Sequence, residues 1–101
     1  MSLFQCIHLL CSHNMTTIGK LHSQLGLVYT SLGMFEEAIQ SFEKALPLVR
    51  SGARSANSLQ VEASLLQNIG AAYNELGRFF DAVIYHREAA VLHGKKYIHP
   101  S

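Results

Sequence analysis

The stretch that decides the fold is QLGLVYTSLGMFEEA at residues 24–38, because its pattern returns as NIGAAYNELGRFFDA at residues 68–82. The two stretches align without a gap and lie 44 residues apart, the step from Gly26 to Gly70. A repeat of this length is one structural unit that stacks on its neighbour. The identical pairs are Gly26/Gly70, Tyr29/Tyr73, Leu32/Leu76, Gly33/Gly77, Phe35/Phe79 and Ala38/Ala82.

Each copy predicts two helices joined by a short turn. Apolar residues recur at spacings of three and four on both sides of Gly33 and Gly77, which is typical of amphipathic helices. The two glycines follow the last leucine of a stripe, where a glycine in the left-handed region commonly ends a helix. We therefore predict an all-α chain of two antiparallel hairpins. The stripe of the first helix consists of Ile18, Leu21, Leu25, Val28, Tyr29 and Leu32.

Small residues at fixed places indicate close packing within each hairpin. Glycine inside a helix costs about 1 kcal/mol relative to alanine, so Gly26 and Gly70 predict points where another backbone comes close. Ala38 and Ala82 are expected to supply the matching small surface. The whole predicted packing set is Gly26, Tyr29, Gly33, Phe35, Ala38, Phe42, Gly70, Tyr73, Gly77, Phe79 and Ala82.

These residues resemble the tetratricopeptide repeat (TPR), whose pattern runs W-x2-L-G-x2-Y and then A-x3-F. The first copy follows it with Leu25, Gly26 and Tyr29 and then Ala38 and Phe42. The copies depart from it with His22 and Leu66 where the family prefers Trp and with His86 where it prefers Phe, and neither copy has the terminating Pro of the pattern. The resemblance covers residues 15–96 and implies a piece of an αα superhelix, or solenoid.

The domain organisation follows from the repeat. We expect an apolar extension over residues 1–14 that forms a short helix covering the first hairpin, repeats over 16–50 and 57–95, and a tail over 97–101. The step of 44 residues exceeds the usual 34, so ten extra residues fall within 50–62. This spacing resembles long-repeat TPR proteins such as kinesin light chains and the adaptors that bind G-protein regulatory motifs. Asn57 with Gln60 suggests a partial capping box before the third helix, and Pro47 predicts a bend in the second.

Within the TPR family, the first helix of each repeat lines a concave groove that receives a peptide. Asn and Gln there could pair with peptide amides, although the same positions could be merely solvated. The clamp that grips the C-terminal carboxylate of heat-shock chaperones needs Lys and Asn in place of Ser23 and Leu27, so that ligand class is not expected. Register in the resemblance gives the candidates Lys20, Ser23, Gln24, Leu27, Thr30, Ser64, Gln67, Asn68, Ala71 and Asn74.

Composition limits the function classes. The chain has 101 residues, enough for one domain, with 49% hydrophobic and only 15% charged residues and a net charge of +1. Nucleic-acid binding would need clustered Lys and Arg, and a membrane span would need about 18 continuous apolar residues, so neither is expected. A single aspartate, Asp81, leaves no catalytic triad, and the few cysteines favour a reduced, cytoplasmic protein. We predict no enzymatic activity and no cofactor.

A metal site is the weaker alternative reading of the N-terminal Cys and His residues. Cys6, His8, Cys11 and His13 are ligand types that zinc accepts, but on a helix His8 points away from the face that Cys6 and His13 share. His86 and His93 also share a helix face, yet His86 is most simply a packing residue in register with Phe42. No metal ligand is therefore assigned.

The function expected from the resemblance is a non-catalytic adaptor that binds a partner's peptide in the groove. The alternative is a structural or oligomerising piece of a longer array that associates through its uncapped last helix, because repeat arrays generally need three or more units. That helix is apolar on more than one side, with Phe80, Ile84, Tyr85, Val91 and Leu92 beside its hairpin stripe.

Overall fold

The apolar stripes of the two copies form four α-helices in a computed structural model that describes residues 3–52 and 55–97, with side chains over 17–52 and 55–94. The helices are α1 (Leu3–Ser31), α2 (Phe35–Arg50), α3 (Ala56–Glu75) and α4 (Phe79–Tyr97). Each helix packs against the next, so that α1 and α2 form one hairpin, α3 and α4 form the second, and α2 meets α3 between them. The two predicted hairpins and the all-α class are confirmed.

Glycine ends the first helix of each hairpin. Gly33 and Gly77 both have a φ of +77°, which lies in a backbone region that residues other than glycine rarely adopt. The Met34 N–H donates to the Tyr29 carbonyl at 2.8 Å, and the Arg78 N–H donates to the Tyr73 carbonyl at 2.9 Å. Because these bonds satisfy carbonyls at the helix end, the same turn reverses the chain in both copies.

The mid-helix glycines face rings rather than the small surface that the sequence suggested. A Cβ atom added at Gly26 would lie 2.5 Å from the Phe42 ring, and one added at Gly70 would lie 2.9 Å from the His86 imidazole. Ala38 and Ala82 are buried, but they are not among the atoms closest to those two positions. The glycines therefore make room for the aromatic residue on the facing helix, and His86 occupies the place of Phe42.

The additional residues of the long repeat lie mostly in helices. Only residues 51–55 separate α2 from α3, and α2 continues past Pro47 to Arg50. The capping box predicted at Asn57 and Gln60 is wrong. Ser55 is the N-cap, its hydroxyl accepts from the Ser58 N–H, and the Ser58 hydroxyl accepts from the Ser55 N–H. Serine at both positions satisfies two N–H groups at once, so α3 begins before Asn57.

The core lies where α2 and α3 meet each other and their hairpin partners. Its largest fully buried side chains are Phe42, Leu65, Leu66 and Ile69. The apolar stripe predicted on α1 is mostly not buried. Five of its six members are exposed: Ile18, Leu21, Leu25, Val28 and Leu32. Phe79, expected in the packing set, is also 63% exposed. Within the described residues no helix lies against the outer sides of α1 and α4, and that leaves these side chains uncovered.

The N-terminal residues do not form the separate short helix that the sequence suggested. The backbone from Leu3 to Ser31 is one continuous helix, so residues 3–14 extend α1 and do not form a separate helix folded over the first hairpin. Among the described residues, no helix has an apolar stretch long enough to cross a bilayer.

Candidate peptide groove

The best candidate binding surface is a groove that starts on α1 and crosses the ends of α2 and α3. One cavity of about 210 Å³ is lined by Lys20, Ser23 and Gln24 from α1, together with Val49 of α2 and Val61 of α3. Gly19 completes the lining, since its lack of a side chain lets Leu48 and Val49 approach α1 closely. Polar α1 side chains and two valines thus share one cavity.

A second cavity continues this groove toward the start of α3. It has a volume of about 250 Å³ and shares Lys20, Val49 and Val61 with the first. Its far side is formed by Gly52 and Ser55 of the α2–α3 connection and by Asn57 and Ser58 in the first turn of α3. We call the two cavities together the α1–α3 groove.

The chemistry of the α1–α3 groove is polar around an apolar strip. Among the described residues that line either cavity, Lys20 alone carries a charge. The hydroxyls of Ser55 and Ser58 are already used in the helix cap. Lys20, Ser23, Gln24 and Asn57 therefore supply the groups that can hydrogen-bond a ligand, while Val49 and Val61 can contact an apolar side chain.

Three of the ten candidate groove residues lie together in the structure, and they are Lys20, Ser23 and Gln24. The other seven lie elsewhere. Leu27 and Thr30 lie further along α1 and are exposed, and the Thr30 hydroxyl donates to the Gly26 carbonyl at 2.8 Å. On α3, Asn68 is half-buried, and the amide of Gln67 lies 3.4 Å from the His93 imidazole. The exposed remainder on α3 is Ser64, Ala71 and Asn74, and none of them lines the two cavities.

Sequence reasoning missed Val49, Val61 and Asn57 as groove residues. The TPR register assigns the groove to first helices only, whereas here the end of α2 and the connection to α3 contribute to it. The ten additional residues of the repeat occur in this region, which is the one sequence signal that could have pointed to it.

A third cavity, of about 450 Å³, lies away from this groove between α2 and the α3–α4 turn. Its α2 side consists of Glu36, Ile39 and Gln40. The opposite side consists of Tyr73, Leu76 and Arg78. The guanidinium of Arg78 lies 4.9 Å from the centre of the Tyr73 ring and holds Asp81 at 2.9 Å, so it is already engaged.

Two tyrosines join three helices near that cavity. The rings of Tyr73 and Tyr85 stack with centroids 5.5 Å apart, and their hydroxyls lie 3.5 and 3.4 Å from the Glu43 carboxylate. Partial burial, reinforced by the Glu43 charge, raises the pKa of Tyr85 to about 12, and the same two causes raise the pKa of Tyr73. Both hydroxyls stay protonated at neutral pH and act as hydrogen-bond donors.

Arg50 forms ion pairs across the boundary between the hairpins. Nε of Arg50, the last residue of α2, lies 2.9 Å from the buried carboxylate of Glu62 on α3. The Arg50 guanidinium also lies 3.6 Å from Glu88 on α4. Because a buried carboxylate is costly unless it is paired, this contact helps to hold α2 against α3.

The histidines and cysteines were the candidate metal ligands of the sequence. No group of three or more His, Cys, Asp and Glu side chains converges on one point among the described side chains. The side chains of Cys6, His8, Cys11 and His13 lie outside the described residues. His86 and His93 contact α3 at Gly70 and Gln67, respectively.

The chain matches a known protein family. A family model of the tetratricopeptide repeat matches residues 17–90, which run from the second half of α1 through α2 and α3 into α4. The search of curated proteins found no match, and the search of solved structures found none either.

Proposed function

The chain belongs to the tetratricopeptide repeat family, a family of protein interaction modules, and from this premise we propose that it is a non-catalytic adaptor binding a peptide segment in the α1–α3 groove. The observation that supports the proposal is the meeting of Lys20, Ser23 and Gln24 with the Val49 and Val61 side chains in adjoining cavities. The 44-residue step between copies supports a place among the long-repeat members of the family. A cytoplasmic location stays a prediction from the sequence.

The chemistry of the groove suggests the kind of peptide it binds. An extended segment has backbone amides that pair with the Ser23 hydroxyl and the Gln24 and Asn57 amides. The ammonium group of Lys20 favours a carbonyl or carboxylate oxygen beside it. Val49 and Val61 favour an apolar side chain between those polar contacts. A segment with at most one acidic residue fits this pattern better than a strongly charged one.

Selection from a random linear peptide library displayed on phage tests this function. Peptides selected on the native chain should bind a Lys20→Ala, Gln24→Ala variant at least about 10-fold more weakly, because losing two contacts of roughly 1 kcal/mol each is a change of that order. Lys44→Ala is the matched control, since Lys44 is exposed on α2 and lines neither cavity of the groove. Equal binding by the groove variant would refute the assignment.

The candidate residues on α3 need a variant of their own. If the binding surface extends along α3, Asn68→Ala with Asn74→Ala also weakens binding while the helical circular dichroism signal is preserved. If it is confined to the two cavities, that variant binds like the native chain.

A second candidate function is assembly through the end helix. It is favoured by the exposure of Phe80 and Ile84 on α4, where Phe80 is 90% exposed. Apolar side chains clustered on one face of a helix commonly mark an interaction surface.

A further inference from the structure

The two hairpins are related by the 44-residue step, so each helix of the first has a counterpart in the second. α1 corresponds to α3, and α2 corresponds to α4. α1 packs against α2 just as α3 packs against α4, but α3 has α2 on its other side as well. Comparing counterparts therefore shows which side chains α2 covers on α3.

One face of α3 is covered where the same face of α1 is not. Leu65 and Ala72 on α3 are 1% and 2% exposed, whereas their counterparts Leu21 and Val28 on α1 are 58% and 54% exposed. Ile69 and its counterpart Leu25 differ in the same way. The exposed face of α1 is therefore the face that, on α3, receives a helix of the α2 type. We call it the α1 face: Ile18, Leu21, Leu25, Val28 and Leu32.

The surface that fits the α1 face is the counterpart, on α4, of the surface with which α2 meets α3. The part of α2 that meets α3 includes Glu36, Ile39 and Gln40, which line the cavity with Tyr73 and Leu76. The counterparts on α4 are Phe80, Val83 and Ile84, and all three are exposed. Val91, the counterpart of Pro47, is exposed too. We call this the α4 face: Phe80, Val83, Ile84 and Val91.

The α4 face is more apolar than the corresponding surface of α2. Phe80 replaces the charge of Glu36, and Ile84 replaces the amide of Gln40. These two α2 side chains border the 450 Å³ cavity of the internal junction, so larger apolar residues at their places would fill space that is open there. An α4-to-α1 junction would thus be drier than the internal α2-to-α3 junction.

Charged residues at such a junction are compatible as well. The buried carboxylate of Glu62, which needs Arg50, corresponds to Ile18 on α1, and Arg50 corresponds to Gly94 on α4. At the place of this ion pair, the new junction therefore has neither the buried carboxylate nor its cation. Glu43 accepts a hydrogen bond from Tyr73, and its counterpart on α4 is Arg87. In the new junction Arg87 would lie near the Tyr29 ring, and an arginine over an aromatic ring is a favourable contact.

We propose that the α4 face of one copy docks on the α1 face of a second copy, in the arrangement that α2 adopts on α3. The contact is head-to-tail, so each copy keeps one free face of each kind and the assembly grows with concentration. The inference gives the second candidate function a definite partner. It does not depend on the peptide groove, whose residues lie on neither face.

Single-face variants test the proposal by sedimentation velocity. Phe80→Glu with Ile84→Glu disables the α4 face, and Leu21→Glu with Val28→Glu disables the α1 face. The native chain should grow in mass with concentration, whereas each variant alone should stay at the 11.2 kDa monomer. A mixture of the two variants retains one intact face of each kind, so it should form a one-to-one dimer of twice that mass.

The controls separate this assembly from the groove and from unfolding. Lys20→Ala with Gln24→Ala should assemble like the native chain, which distinguishes failure of the groove from failure of the assembly. Circular dichroism checks folding, and Ile84→Glu and Leu32→Glu repeat the test as single substitutions. The proposal is overturned if the native chain stays monomeric at about 200 µM, within the micromolar to millimolar range of ordinary weak association. It is also overturned if the α1-face variant dimerises alone, which indicates a two-fold α4 contact, or if the mixed variants do not dimerise.

Discussion

Helices α1 and α3 share a pattern of apolar and small residues but have very different surroundings. Both have a glycine facing a ring, the same turn at the end and an apolar stripe, yet the stripe is covered on α3 and uncovered on α1. The difference arises because α3 lies between two helices, whereas among the described helices α1 has a neighbour on one side only. In a repeat protein, burial is therefore set by position in the stack more than by the local sequence.

The largest expected difference between the two helices is at a pair of leucines. Leu65→Ala should lower the free energy of unfolding by about 2 to 5 kcal/mol, because it leaves a cavity between packed helices. The counterpart substitution, Leu21→Ala, should change it by no more than about 0.5 kcal/mol, since that side chain is exposed. Urea unfolding at low protein concentration, where assembly is absent, measures both. Similar losses at the two sites would mean that α1 is covered in solution.

The two mid-helix glycines offer a finer comparison. Gly26→Ala should destabilise the chain by about 1 to 2 kcal/mol, since overpacking against the buried Phe42 ring outweighs the helix propensity gained. Gly70→Ala should stay within about 0.5 kcal/mol of the native value, because the His86 side chain is exposed and can move aside. Thermal unfolding of the two variants decides the matter. Equal destabilisation would show that His86 is held as firmly as Phe42.

The smallest expected effect is a dependence of stability on pH that comes from the two tyrosines of the second copy. Tyr73 and Tyr85 have raised pKa values in the folded chain, so the unfolded chain loses these protons first as the pH rises above 10. The contribution of both tyrosines to stability is complete below pH 10, and that of Tyr85 is lost as the pH approaches about 12. The free energy of unfolding should therefore fall over this range.

Phenylalanine variants assign that pH dependence. Tyr85→Phe should flatten the decline, because it removes the hydroxyl whose pKa is raised to about 12. Tyr29→Phe is the matched control from the first copy, since Tyr29 is the counterpart of Tyr73 and has no contact with Glu43 among the hydrogen bonds of the described residues. An unchanged slope in Tyr85→Phe would contradict the role given to the Tyr–Glu43 cluster.

Much of the fold could be predicted from the sequence, because its signals are local. The positions of Gly33 and Gly77 fix the turns, and the period of the apolar residues fixes the helices. The start of α3 was harder to place, since Ser55 and Ser58 form a cap that competes with the similar signal at Asn57 and Gln60. Cap chemistry alone does not rank two adjacent candidates.

The surroundings of the helices and the groove could be predicted only in part. A periodic stripe shows which face is apolar, but it does not show whether another helix covers that face, so the exposure of Leu21 on α1 was missed. The α1 side of the groove follows from the repeat register. Val49 and Val61 contribute because of how α2 ends beside α1 and α3, which depends on tertiary packing.

The central claim is that α1 carries, uncovered, the face that α2 covers on α3. Methyl relaxation by a soluble paramagnetic agent, measured by NMR on the monomeric Phe80→Glu, Ile84→Glu variant, tests it most directly. We expect strong relaxation of the Leu21 and Val28 methyl groups and weak relaxation of the Leu65 and Ala72 methyl groups. Equal protection of both sets in that monomer would contradict the claim.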